Sequence, residues 1–504
     1  MARIPLIGGS YSTRSVISGA GGRCVNYYPE KNPEDALVPV THYQRPGLIP
    51  LVSGPAAPVR GLWRASNGNG YCVIGSNVYQ ISPTWALTLL GQIAPFRTNP
   101  CSFTDFGQAV GIGVLVDGSA NGWSINLATG AFAQIADPTG IFVGADKVDY
   151  LDTFVLFNVP GTNQFGSTLS NVLQFDPLYI AGKTDYPDPL QTLIVNRHEI
   201  LLFGQLKSEV WYDAGNAQFP FAELPGAYIE HGAVAKYSVA SADISVYWLG
   251  QDLQGQGYVF RQRGYETTRI SNHALEWTLS QVQESGITLS DAIGYTFQKS
   301  GHLFYVLQFP SADMTWVFDD SVANPMVAWH QEAWTDSNGQ LRRHRGNCCA
   351  FLNETNVCGD WENGTIYEMS FSAFTDTVAG VAGPISCVRT FPHLGMFSNR
   401  QGFPALPTDG RRVRHDRFQL DMECGTAGES PSFPSQIGLK YSDDRGKTWR
   451  GAILQSAGAI GQYDTWPLFQ NLGISRDRVY EVSHSIPGPA AINGAWVDGQ
   501  LAES

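Results

Sequence analysis

Apolar residues in this chain come in short runs broken by Gly and Asn, and residues 356–369 hold the unit that repeats. Val357 and Cys358 read as a buried strand, Glu362-Asn363-Gly364 as a tight turn, and Ile366 with Met369 as apolar positions of a returning strand. Asn-Gly supplies the positive φ that a two-residue hairpin needs. The same order returns in residues 70–81 and 199–212. Strand clusters restart near Val59, Cys101, Val148, Thr192, Ala233, Ala292 and Arg345. A spacing of roughly 40 to 50 residues is that of one four-stranded propeller blade, so the pattern predicts a β-propeller of seven blades over residues 59–371. Turn pairs fall where blades need them, at Asp117-Gly118, Asn121-Gly122, Thr129-Gly130 and Asn338-Gly339.

One segment leaves this rhythm. In residues 272–284, Leu275, Leu279 and Val282 share a face at 3.6-residue spacing, Ser271 or Asn272 can cap the start, and Gly286 can end it. The pattern predicts a single helix inserted beside a blade. Residues 372–384 turn to small side chains and read as a connection. Beyond it, alternation resumes in 385–390, 418–423, 437–441, 451–454 and 479–483, separated by Pro/Gly/Ser loops. That spacing predicts a β-sandwich-like domain over residues 385–504. Residues 1–58 are rich in Gly, Pro and Ser and cannot build a core alone, so they are expected as an extended strip laid on neighbouring structure.

Composition agrees with an all-β reading: 54 Gly, 29 Pro and 12% aromatic residues accompany only 15% charged ones. With 504 residues the chain exceeds the size at which single cores stop growing, about 250–300 residues. A net charge of −13 argues against tight general nucleic-acid binding, which needs clustered cations. No apolar run has the length of a secretory signal or a spanning helix, so neither export by the usual signals nor membrane insertion is expected. The eight cysteines are dispersed without a C-x-x-C pair, and no Walker, Rossmann, G-x-S-x-G or H-E-x-x-H pattern occurs. Neither a metal nor a cofactor is expected.

Three stretches carry candidate chemistry. Ser442, Asp444, Gly446 and Trp449 fit S-x-D-x-G-x-x-W, the Asp-box of sialidase propellers. Its mechanics are those of a hairpin turn: Asp444 caps backbone N–H groups, Gly446 takes the unusual φ, and Trp449 is expected to pack beneath. Glycosidase chemistry would need a positioned acid and nucleophile besides, so the box is expected to be structural. Two basic runs stand out in an acidic chain, Leu341-Arg-Arg-His-Arg345 and Arg411-Arg-Val-Arg-His-Asp-Arg417. The first is expected to be a solvated strand face or a charged edge. The second, with Arg411, Arg412, Arg414 and Arg417 crowded beside a strand, is expected to face an acidic neighbour subunit or passing phosphate. Asp319-Asp320 and Asp443-Asp444 point to opposite faces and read as turn residues rather than catalytic dyads.

Several short segments, taken in order, resemble the packaged-DNA stabilisation proteins, the tail hub or nozzle subunits of short-tailed bacteriophages. They are Asn26-Tyr-Tyr-Pro29, Arg45-Pro-Gly47, Arg269-Ile-Ser-Asn-His-Ala-Leu-Glu276, Cys358-Gly-Asp360 and Asp416-Arg-Phe-Gln-Leu-Asp-Met-Glu423. The resemblance spans most of the chain. It implies a propeller with an added β domain, a homohexameric ring beneath portal and adaptor proteins, and a DNA exit channel that retains packaged DNA. It further implies attachment of a needle, tail fibres or tailspikes, transient non-specific contact with DNA, and a place in the virion after assembly in the host cytoplasm. No catalysis is expected. The alternative is a carbohydrate-active propeller, a sialidase-like glycosidase or lectin, which would gather Arg, Glu and Tyr side chains at the central mouth.

Overall fold

The computed structural model describes residues 2–4, 10, 22–36, 38–94, 97–186, 188–252, 254–392, 394, 412–427 and 435–502. Alternation of apolar and polar positions, punctuated by residues that accept positive φ, folds the middle of the chain into seven four-stranded antiparallel units. The first comprises Val59–Arg64, Gly70–Ile74, Asn77–Ile81 and Leu87–Gln92. Blades 2 to 6 follow in residues 102–134, 148–182, 190–229, 240–269 and 293–331. Blade 7 has three strands of its own, Gly346–Leu352, Thr355–Asp360 and Thr365–Ser370, and takes its fourth, Gly47–Ser53, from the N-terminal segment. First strands follow one another around the axis, and that of blade 7 packs on that of blade 1, which closes the ring. This is a seven-bladed propeller.

Each blade buries both faces of its sheet. Seven apolar clusters result, one in each interval between neighbouring blades. Between blades 4 and 5, Phe203, Trp248 and Phe260 stack with ring centroids 5.0 and 5.7 Å apart, and Trp248 is fully buried. Aromatic pairs in this range add to area burial. The helix His273–Glu284 lies between blades 5 and 6. The Asn272 carboxamide oxygen caps it by accepting from Leu275 N at 2.9 Å, and Leu275 and Leu279 enter the cluster shared by the two blades. Gly286, at φ +83°, stands just beyond its end.

Residues near the N-terminus are spread over both parts of the molecule. Ala2–Ile4, Tyr27–Lys31 and Val40–Gln44 join one sheet with Val413–Met422, Leu468–Gln470 and Ile492–Leu501. Cys24–Val25 pairs in parallel with Trp329–Gln331 of blade 6 and antiparallel with Cys387–Thr390. Through it, the blade 6 sheet runs on into Val479–His484, Gln436–Ser442 and Ile453–Ser456. Between these layers Ile4, Cys24, Tyr27, Phe418, Leu439, Tyr480 and Val497 form one core, that of a β-sandwich.

Three details differ from the sequence expectation. The hairpin in residues 356–369 turns over four residues, 361–364, rather than two, because Asp360 accepts backbone N–H groups from Glu362 and Asn363 at 2.7 and 3.2 Å. Residues 372–384 form a hairpin, Thr375–Val378 with Val381–Pro384, that extends blade 7 beyond the N-terminal strand. Ile492–Leu501, a central sandwich strand, carries Gly494 and Gly499, which conceal its alternation.

Candidate functional site

The propeller mouth is where an enzyme of this architecture would assemble its groups. Arg60, on the first strand of blade 1, donates to Asp117 at 2.9 Å with both side chains buried, and also to the carbonyls of Asn99 and Gly75. Asp146 enters blade 3 and Lys236 enters blade 5, and the two meet at 2.6 Å across blade 4, with the Tyr237 hydroxyl 3.4 Å from the same carboxylate. Each cation here is matched by one carboxylate. Around Arg60 and Lys236, among the described residues, no arginine cluster of the kind that grips a sugar carboxylate forms.

The first basic run is the largest departure from expectation. Residues 341–345 are only in part a solvated strand face. Arg342 lies between Asp313 and Asp336, at 2.9 and 3.0 Å. Arg343 stacks over Trp361, and burial brings its guanidinium down to about 10. Arg345 is buried between the Trp334 and Trp361 rings, 4.7 and 4.4 Å from their centroids. It grips Asp360 with two hydrogen bonds, at 2.8 and 2.7 Å, and reaches Glu362 at 2.9 Å. The run leads into the inner strand of blade 7, so Arg342 stays exposed and Arg343 is half-buried, while His344 and Arg345 are buried. Charge-assisted, bidentate bonds are what allow arginines to sit there.

The second run behaves differently. Arg411 lies outside the described residues. Along Val413–Met422 the core face takes Val413, His415 and Phe418, while Arg412, Arg414 and Arg417 are exposed. Arg414 meets Asp416 at 2.7 Å and Arg417 meets Asp498 at 2.8 Å. In-chain carboxylates therefore supply part of the counter-charge that the sequence left unaccounted for.

The Asp-box closes the turn after Gln436–Ser442. The Asp444 carboxylate accepts from the Ser442 hydroxyl at 2.8 Å, from Thr448 N at 2.8 Å and from the Thr448 hydroxyl at 2.6 Å. These bonds, those from Thr448 foremost, favour the charged carboxylate and hold its pKa down at about 2. Gly446 has φ +83° and donates its N–H to Ser442 Oγ. Trp449 is 38% exposed rather than buried beneath the turn.

The resemblance segments turn out to be clamps. Arg45 is wholly buried, donates to Asn26 Oδ1 at 2.8 Å and to Ala333 O at 3.0 Å, and is paired with Asp376. One side chain thus ties the N-terminal strip, the hairpin between blades 6 and 7, and the blade 7 extension. Glu332 lies beside it, between His330 and His344 at 3.9 and 4.0 Å, and burial raises its carboxyl to about 7 against the pull of Arg45. Glu276 receives Arg269 and the Ser271 hydroxyl at the start of the helix.

Sequence reasoning did not single out a concentration of exposed apolar side chains on the sandwich: Ile453, Leu454, Ile460, Tyr463, Trp466 and Ile474. Ile453–Ser456 and Leu468–Gln470 are outer strands of opposite sheets and touch each other, so residues 457–467 bridge the two edges. The signal was present as large apolar residues recurring every third position, Ile460, Tyr463 and Trp466, in a Gly-rich loop.

Taken together, the fold and these surfaces define an architectural class, a β-propeller clamped to a β-sandwich by its own N-terminal strip. The family model described as bacteriophage P22 Gp10, beta-propeller, matches residues 3–374, and that described as bacteriophage P22 Gp10, beta-sandwich, matches residues 402–500. The chain belongs to this family of phage structural tail proteins. It is a virion component of the phage-stabilisation type. A search of curated proteins returned no match.

Proposed function

We propose that this chain is a tail hub or nozzle subunit, which forms a ring below the portal and adaptor, retains packaged DNA and lines its exit channel. In this reading six copies close a heterologous ring, the sandwich supplies the contacts, and a needle, fibres or tailspikes attach to it. The propeller and the sandwich act as a body and an adhesive unit. The supporting observation is the concentration of exposed apolar side chains between Trp449 and Ile474 in a chain whose family is structural. Exposed clusters of this kind mark association surfaces.

Arg411, Arg412, Arg414 and Arg417 would face the neighbouring subunit or the adaptor. A charge of −13 keeps contact with passing DNA weak and transient. No hydrolysis of sialosides or polysaccharide belongs to this role. Assembly takes place in the host cytoplasm. Electron microscopy of particles lacking this chain tests the reading: full heads that leak DNA and lack the tail tip are expected. Intact, infectious particles without it would overturn it.

A further inference from the structure

Away from the axis, hairpin turns of blades 4 and 5 enclose a cleft of about 160 Å3 whose polar lining includes Asn196, Arg197, Glu199, Gln262 and Tyr265. The turn after Leu190–Asn196 places Arg197 and His198 at φ +54° and +60°, the backbone of a type I′ hairpin. It carries the Arg197 guanidinium over the facing turn, with Nη1 3.7 Å from where Gly264 would bear a Cβ. The nearby carboxylate of Asp152 lies 3.5 Å from His198 Nδ1, and Arg197 itself has no ion pair among the described residues.

Two acceptors line the same cleft. Gln262 is 3% exposed; its Nε2 donates to Gly264 O at 2.7 Å, while its Oε1 has no donor. Glu199 receives the Tyr265 hydroxyl on one oxygen and keeps the other open. Tyr265 is 57% exposed and offers a ring face at the rim.

These features constrain the ligand. The volume is well below the roughly 300–1,000 Å3 of cofactor and drug-sized pockets, so there is room for one small unit. A buried acceptor without a donor is unfavourable, so the ligand must bring N–H or O–H groups. An apolar ligand would leave Gln262 Oε1 unmet, and inorganic phosphate would satisfy Arg197 but bring few donors at neutral pH. A carboxylated sugar brings a carboxylate for the guanidinium, hydroxyls for Gln262 and Glu199, and an apolar ring face for Tyr265. We propose that this cleft binds one hexuronate-like unit of an acidic polysaccharide. The site lies outside the sandwich, makes and breaks no covalent bond, and does not depend on ring assembly.

The test titrates the purified full chain with sodium glucuronate, with glucose and sodium glutamate as controls, followed by saturation-transfer NMR. Saturable glucuronate binding is expected, at least tenfold tighter than either control. Arg197→Gln, at an exposed position, should weaken it tenfold or more with an unchanged melting temperature. Gly264→Asn accepts the positive φ and fills the space below Nη1, and should block binding equally. No saturable glucuronate binding up to millimolar concentration, or binding indifferent to both variants, overturns the proposal. So does glutamate bound as tightly as glucuronate, which would give the cleft to an acidic protein side chain.

Discussion

The propeller and the sandwich solve the same problem, the exposed sheet edge, in opposite ways. Seven blades close into a ring, and blade 7 hides its outer edge under a strand from the N-terminal segment and then under the hairpin of residues 375–384. The sandwich instead fills its layers with strands from the N-terminal segment and leaves Ile453–Ser456 as an outer strand bearing two exposed aliphatics. Between Trp449 and Ile474 seven large apolar side chains are exposed; across the far longer stretch of residues 59–371 there are nine among the described residues. Open, apolar edges are avoided in isolated proteins. The contrast sets a body whose edges are largely covered against a unit that leaves one apolar edge open.

The largest effect should come from the N-terminal segment. Removing residues 1–44 takes four strands from the sandwich sheets but leaves Gly47–Ser53 on blade 7. Limited proteolysis should then show protected blades and a degraded C-terminal unit. Removing residues 1–58 should expose the blades as well, because blade 7 loses its fourth strand. Equal protection in both deletions would break the comparison.

Buried cations come next. Arg345→Ala leaves Asp360 buried without its partner, and removing one member of a buried pair costs about 3–5 kcal/mol. Arg417→Ala breaks a pair between an exposed arginine and a half-buried carboxylate at the surface and should cost no more than about 1 kcal/mol. Denaturant titration of the two variants measures the difference between two arginine runs that look alike in sequence.

That difference marks where the sequence stops being legible. Blade starts expected near Val59, Val148 and Arg345 lie within a residue of strands beginning at Val59, Val148 and Gly346, since alternation and turn residues are local signals. The helix cap at Asn272 was local too. Burial of Arg345 was not legible, because Trp334, Trp361 and Asp360 meet it only after three segments pack. Trp449 was misplaced for the same reason: the turn chemistry of Asp444 and Gly446 is local, but what lies beneath a turn is not. The strands near the N-terminus have no periodicity because their partners lie hundreds of residues away, as with Cys24 and Arg389.

Acid should separate the units by a smaller margin. Burial holds His415 and His484 at about 4 in the sandwich, below the unfolded value near 6.5. The unfolded chain therefore takes up protons first, and stability is lost as pH falls from about 6.5 towards 4. At pH 5 this amounts to roughly 2 kcal/mol per imidazole. In the propeller, burial lowers His330 and His344 in the same sense. Two groups there oppose them. The hydrogen bond to Asp319 raises His302, whose contribution is present below about 6.5 and lost as pH rises through its folded value. Glu332, raised by burial to about 7, penalises folding as pH climbs from about 4.5 to 7, so acidification relieves it. The sandwich should therefore melt first at pH 5, followed by near-ultraviolet circular dichroism. Simultaneous loss of both units would show that the Arg45 clamp couples them fully.

The smallest effect on subunit stability should accompany the largest effect on assembly. Leu454, Ile460 and Tyr463 are 59%, 68% and 72% exposed, so replacing all three by Ser removes little buried surface. Single surface changes of this kind stay within about 0.5 kcal/mol, and the melting temperature should barely move. If the sandwich edge is the adhesive surface, the variant should sediment as a smaller species than the parent and fail to incorporate into particles. Leu178 and Tyr228, 61% and 54% exposed on blades 3 and 4, provide the control. Their replacement by Ser should alter neither property, because isolated exposed apolar residues are ordinary on any protein surface. Should the blade variants disrupt assembly while the sandwich variant assembles normally, the adhesive surface belongs to the propeller, and the division between body and contact unit is reversed.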